Sequence, residues 1–268
     1  MDMYWIYDRP TWQVGLVIKV IFLGLSLTGL VATRGVISKY FHKSQEADQA
    51  VSAIFGAIGM LYGLLLGLVA VATWQNYDKI YDLVDEESAS IIQLYRCVSV
   101  LDDPSHQAIL EDIESYTKQI MAVEWPAQKH GASPSGGTDL MTTLHQKIAH
   151  LEPKARNQPI IYAEAVSAFS DMVKARRMRI DGVNLRIPPI FWLIIIGGAF
   201  LNIPILFFFD LPSFRTHLLL TGCYVFYLSG IVTVIVVLDN PLRGEVSVSS
   251  APFKSALDVM ASIHHKKN

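Results

Sequence analysis

Charge is scarce in this sequence. Lys, Arg, Asp and Glu make up 17% of its 268 residues, against about a quarter in ordinary soluble chains. With 51% hydrophobic residues and a mean hydropathy of +0.34, the composition argues against a soluble enzyme. Basic excess is also missing: a net charge of −2 and a pI near 6.4 give no coat for nucleic acid, and no nucleic-acid-binding signature occurs. Cysteine is nearly absent. Cys97 stands in a polar stretch and Cys223 in an apolar one, so they form no disulfide framework and are expected as free thiols. Catalytic signatures are lacking too: there is no GxGxxG, no Walker loop and no HExxH. The segment GASPSG, Gly131 to Gly136, lacks the spacing and strand context of a nucleophile elbow. His145 and His150 are five apart and diverge on a helix, while His264 and His265 belong to a polar tail expected to be mobile. No catalytic, cofactor-binding or metal-ligating residue is assigned.

What is present is uncharged length. Residues 74 to 186 hold 12 Lys/Arg and 16 Asp/Glu of the 46 charges, and the flanking sequence is correspondingly apolar. Crossing a hydrocarbon core of about 30 Å takes about 20 apolar residues. Four stretches qualify: Trp12 to Val36, interrupted by Lys19 and Arg34; Val51 to Thr73; Ile187 to Phe209; and Leu218 to Leu238. The connection Asp210 to His217 makes the last two a hairpin. The first run is too long for a signal peptide and is expected to be a retained anchor. The expected organisation is an N-terminal transmembrane hairpin (1–73), a cytoplasmic helical domain (74–186), a C-terminal transmembrane hairpin (187–238) and a cytoplasmic tail (239–268). The fold class is all-α, a four-span integral membrane protein.

Orientation follows from the cations near the span ends. Arg9, Lys79, Lys174, Arg176, Arg177, Arg179, Arg186, Arg243 and Lys254 share the side of both termini, against Arg34, Lys39, Lys43 and Arg215 opposite. Both termini are therefore expected in the cytoplasm, at the cytoplasmic membrane. Tyr4, Trp5, Tyr7, Trp12, Trp74 and Tyr77 then fall at the cytoplasmic interface, where amphipathic rings prefer to lie.

The central segment reads as helical. Apolar positions Tyr81, Val84, Ile91, Tyr95 and Val98, with Ser88, recur at helical spacing, so the second span is expected to continue as one long helix. Asp103 and Pro104 open another helix, with Ile109, Ile113, Tyr116, Ile120 and Met121 on one face and Pro126 as its end. Lys129 to Thr138 is a linker. A short amphipathic helix follows (Leu140, Leu144, Ile148, Leu151), then one from about Pro159 to Val183 carrying the basic run KARRMR.

Several residues suggest function. Ser52, Gly56, Gly59, Gly63, Gly67 and Ala70 advance by three or four and form one small-residue stripe. Such a stripe serves either close helix packing or the lining of a pore, and in both cases favours a homo-oligomer. Lys19 is placed to snorkel toward the cytoplasm or to attract an anion. Asn202 and Pro204 mark a bend, either packed or serving as a permeation spot or hinge, because proline frees the carbonyl of Phe200. Arg176, Arg177 and Arg179 are candidates for binding anionic lipid or lining a basic vestibule. Thr221, Tyr224, Ser229 and Thr233 read as interhelical glue. Asp82, Asp85, Glu86 and Glu87 read as a solvated helix face rather than a calcium site.

Four pieces carry a family resemblance: GMLYGLLLGLVAVATWQNYDKIYDLVDEESASIIQLYR, EWP at Glu124 to Pro126, RIPPIFWLIIIGGAF, and LDNPLRGEVSVSSAPF. In order and spacing they resemble the bacterial bestrophin-like membrane family, a domain of unknown function, over residues 51 to 253. The resemblance implies a membrane architecture and, through the family's label, a link to pentameric anion channels. No residue of those channels is carried over, since their neck is lined by large apolar side chains and this second span is glycine-rich. Two functions follow as expectations: an oligomeric ion channel, with an inorganic ion, more readily an anion, as partner beside the lipid bilayer; or a non-conducting scaffold or sensor whose cytoplasmic helices bind a partner.

Overall fold

The computed structural model describes residues 6–40, 45–134, 137–151, 158–209, 211 and 213–267. Tyr4, Trp5, Lys43, Asp210 and, within the linker, Ser135 and Gly136 lie outside the described residues. The described residues form nine α-helices: α1 (Thr11–Tyr40), α2 (Gln45–Ser99), α3 (His106–Gln119), α4 (Trp125–Lys129), α5 (Thr138–Ala149), α6 (Gln158–Asp181), α7 (Pro189–Ile205), α8 (Phe214–Leu238) and α9 (Ala251–Lys267). Four of them, α1, α2, α7 and α8, are long and apolar enough to cross a membrane. The chain divides into two compact units. One comprises Met1–Asn76, Arg186–Asp239 and Gly244–Val246; the other comprises Tyr77–Leu185, Asn240–Arg243 and Ser247–Asn268.

In the first unit α1 packs along α8. Gly15 makes this possible, since a Cβ there would sit 3.1 Å from the Thr233 methyl. Behind them Tyr62, Leu66 and Val69 of α2 meet Ile195 and Ala199 of α7 and Leu228, Val232 and Ile235 of α8. Gly198 leaves room for the Tyr62 ring against α7, and the Tyr62 hydroxyl donates to the Ile195 carbonyl at 2.7 Å. Polar side chains elsewhere in the unit mostly bond their own helix: Thr33 to Gly29 O (2.7 Å), Ser229 to Phe226 O (2.8 Å), Thr233 to Ser229 O (2.7 Å). Large apolar side chains such as Trp12, Leu25, Met60 and Phe200 remain exposed, as expected of helices whose outer solvent is hydrocarbon. After α8, the Asp239 carboxylate accepts the Ile187 N–H at 2.7 Å.

The second unit has an inside and an outside in the ordinary sense. Ile80, Val84, Ile91, Leu94 and Val98 of α2, Ile109, Ile113 and Tyr116 of α3, Leu144 and Ile148 of α5, and Met172 of α6 share one buried core. Each large aliphatic side chain so buried contributes about 1.5–3 kcal/mol. Three expectations are corrected here. Pro126 does not end the third helix: after α3 a π-turn over Ile120–Glu124 intervenes, the Trp125 N–H bonds the Ile120 carbonyl, and α4 then runs through Pro126 to Lys129. The wider turn accommodates a residue that has no N–H and whose ring crowds the preceding turn. The polar tail contains α9, with Phe253, Ala256 and Met260 fully buried, so His264 and His265 stand on a helix rather than in a mobile end. Glu87 is not on a solvated face: Asp82, Asp85 and Glu86 are exposed and Glu87 is completely buried.

Candidate functional site

In the first unit the small-residue stripe of α2 turns away from the unit's own core. The buried face of α2 is Tyr62, Leu66, Val69 and Thr73; Ser52, Gly56, Gly63 and Gly67 are exposed, with Gly59 and Ala70 at the margin. A Cβ built at Gly56, Gly63 or Gly67 meets nothing within 4 Å, and one at Gly59 meets only the Asn202 amide oxygen, at 3.5 Å. The stripe is therefore not spent on packing within the chain.

Asn202 is fully buried on α7. Its amide N–H donates to Gly198 O at 2.9 Å, and its amide oxygen has no hydrogen-bond partner. Pro204 lies inside α7 near its end, and a 3₁₀ turn follows over Leu206–Phe208. The Leu206 carbonyl is met by His217 Nε2 at 2.8 Å, which satisfies one of the groups orphaned at a helix end. Lys19 is half-buried, with its ammonium 4.8 Å from the centre of the Phe226 ring on α8, a cation–π geometry.

In the second unit the arginines expected at lipid or in a vestibule divide. Arg177 is exposed. Arg179 is completely buried and Arg176 nearly so, which corrects their expected placement at a lipid-facing surface. Arg179 donates through Nε to Glu87 Oε2 (2.6 Å), through Nη2 to Glu87 Oε1 (3.2 Å) and Glu124 Oε2 (3.0 Å), and through Nη1 to Gln128 Oε1 (2.5 Å). Arg176 Nη2 takes the remaining oxygen of Glu124 at 2.7 Å, and the Tyr116 hydroxyl donates to Glu87 Oε1 at 2.6 Å. The rings of Trp125 and Phe253 lie 5.8 and 5.6 Å from the Arg179 guanidinium.

Two cations and two anions leave this cluster neutral, and every carboxylate oxygen already accepts a bond. Burial works to lower the Arg179 pKa, but the Glu87 carboxylate and its hydrogen bond, then Tyr116 and Glu124, outweigh it and hold the guanidinium charged. Burial and the Glu87 charge push the Tyr116 phenol well up, so it stays a donor. The cluster joins α2, α3, the π-turn, α4 and α6. It has no free carboxylate to ligate a cation or act as a base. Among the described residues no group of three or more His, Cys, Asp or Glu stands together to hold a metal.

A family model described as the Bestrophin-like domain matches residues 20–253. A crystal structure of a membrane protein is similar over 93% of this chain and 98% of its own, with a TM-score of 0.71 and 11% identity. At that identity the likeness is one of fold. No match was found among the curated proteins.

Proposed function

Since the chain belongs to the Bestrophin-like family, we propose that this membrane protein is a homo-oligomeric ion channel that passes small anions in preference to cations. In this reading the α2 helices of several copies gather about an axis, with Gly56, Gly63 and Gly67 turned to the neighbouring copies or to the path between them. The supporting observation is that these glycines are open and unpacked within the chain, although small-residue stripes exist to let backbones approach closely. The second unit and both termini are then cytoplasmic, on the balance of Lys and Arg near the span ends.

The test is the symmetry and axial profile of the purified protein by cryo-electron microscopy, followed by chloride and potassium flux from liposomes. A ring with a continuous axial path and chloride flux is the expected result. A monomer, or a dimer with a dry interface, sinks the proposal and favours a non-conducting scaffold. Gly63→Leu adds bulk where the chain itself has open space, so each copy folds while the assembly shrinks; unchanged oligomer mass by native mass spectrometry counts against the packing.

A further inference from the structure

A cleft of about 510 Å³ lies between α5 and the second half of α6, within the roughly 300–1,000 Å³ typical of small-ligand sites. Its two ends are chemically unlike. At one end Gly137, the residue before α5, lies against the Arg176 guanidinium, and Thr138 and Arg177 line the wall. At the other end the His145 and Phe169 rings meet with centroids 5.5 Å apart. Met141 and Val173 line the space between. From Phe169 to Arg176 is two turns of α6, about 10 Å at the usual rise. Most of the surface is thus apolar, with cationic groups gathered at one end.

Arg176 lines this cleft, is 8% exposed, and spends Nη2 on Glu124 while its Nε is buried with no hydrogen-bond partner. A buried guanidinium N–H without an acceptor is costly. Arg177 beside it is exposed and faces an incoming ligand as a charge; Asp181, one turn further on, shares the wall and disfavours a bulky anion beyond the arginines. We propose that the cleft binds a single-chain amphipathic anion. Its carboxylate or phosphate head accepts from Arg176 and Arg177, and its acyl chain lies over Met141, Val173 and Phe169. This site is independent of whether the protein conducts.

The test uses the full chain in phosphatidylcholine nanodiscs, titrated with a dansyl-labelled undecanoic acid against empty nanodiscs. Saturable binding of one probe per chain is expected. Val173→Trp, which fills the cleft from an exposed position, and Arg177→Glu, which reverses its charge, should each weaken binding at least about tenfold. Displacement by laurate identifies a free fatty acid as occupant, and displacement by lauroyl lysophosphatidate identifies a lipid phosphate. Equal displacement by dodecyltrimethylammonium overturns the anionic head, and absence of saturable binding or wild-type affinity in both variants overturns the site. A diazirine laurate should label peptides of α5 and α6; labelling confined to the spans also overturns it.

Discussion

The two units bury polar groups by opposite means. In the first, hydroxyls of Thr33, Ser229 and Thr233 bond carbonyls of their own helices, and the Asn202 amide does the same. In the second, Glu87, Glu124, Arg176 and Arg179 bond across elements up to 92 residues apart. The difference follows from the solvent that each part meets when unfolded. A helix in hydrocarbon keeps its backbone bonds and satisfies side chains locally at small gain. A helix folding from water has its charges hydrated at the start, so burying them is tolerable only when every partner is in place. Local bonds leave a helix free to choose its neighbours, whereas the cross-element network fixes which helices meet.

The sharpest way to break this contrast is Arg179→Ala, which leaves two buried carboxylates short of a partner. It should destabilise the second unit by about 3–5 kcal/mol, read as a lowered unfolding temperature and early proteolysis within residues 77–185. Tyr116→Phe removes one hydrogen bond to a charged group and should cost about 1.5–3 kcal/mol in the same assay. In the first unit the vulnerable element is packing. Gly198→Ala puts a methyl into the Tyr62 ring and should cost about 1–3 kcal/mol, seen as a lower melting temperature in detergent. The smallest effect belongs to Thr233→Val, which keeps the methyl against Gly15 and loses only an intrahelical bond. It should change stability by under about 1 kcal/mol, and a loss as large as that of Tyr116→Phe would erase the distinction between the units.

Much of the helical plan was legible because apolar runs of 20 or more residues have few other readings. The four span-length helices, the continuation of α2 to Ser99 and the positions of α5 and α6 follow from uncharged length and period. The cluster was harder to see. Glu87 falls between Val84 and Ile91, on the buried stripe of α2, and Arg179 follows Met172 and Ala175 at helical spacing. Both lie in phase with apolar residues, which was the available signal. Yet charge in a charge-rich stretch reads as solvated face, and partners contributed by other helices are not written in local sequence. The helix α9 carried a similar sign in Phe253, Ala256 and Met260, obscured by the polar residues between them. The open side of the glycine stripe could not be read at all, since spacing gives a face and not its neighbour.

The π-turn at Ile120–Glu124 sets an angular phase. Each residue of an α-helix advances its successors by about 100°, so the one surplus residue held in that turn aims everything after it. Deleting a single residue from Ile120 to Val123 would let the segment close as plain α-helix. Glu124, Trp125 and Gln128 would then swing about a quarter-turn from the arginines they face. The cluster thus depends on a count of amino acids as much as on their chemistry, and within this stretch a change of length is a graver mutation than most changes of side chain.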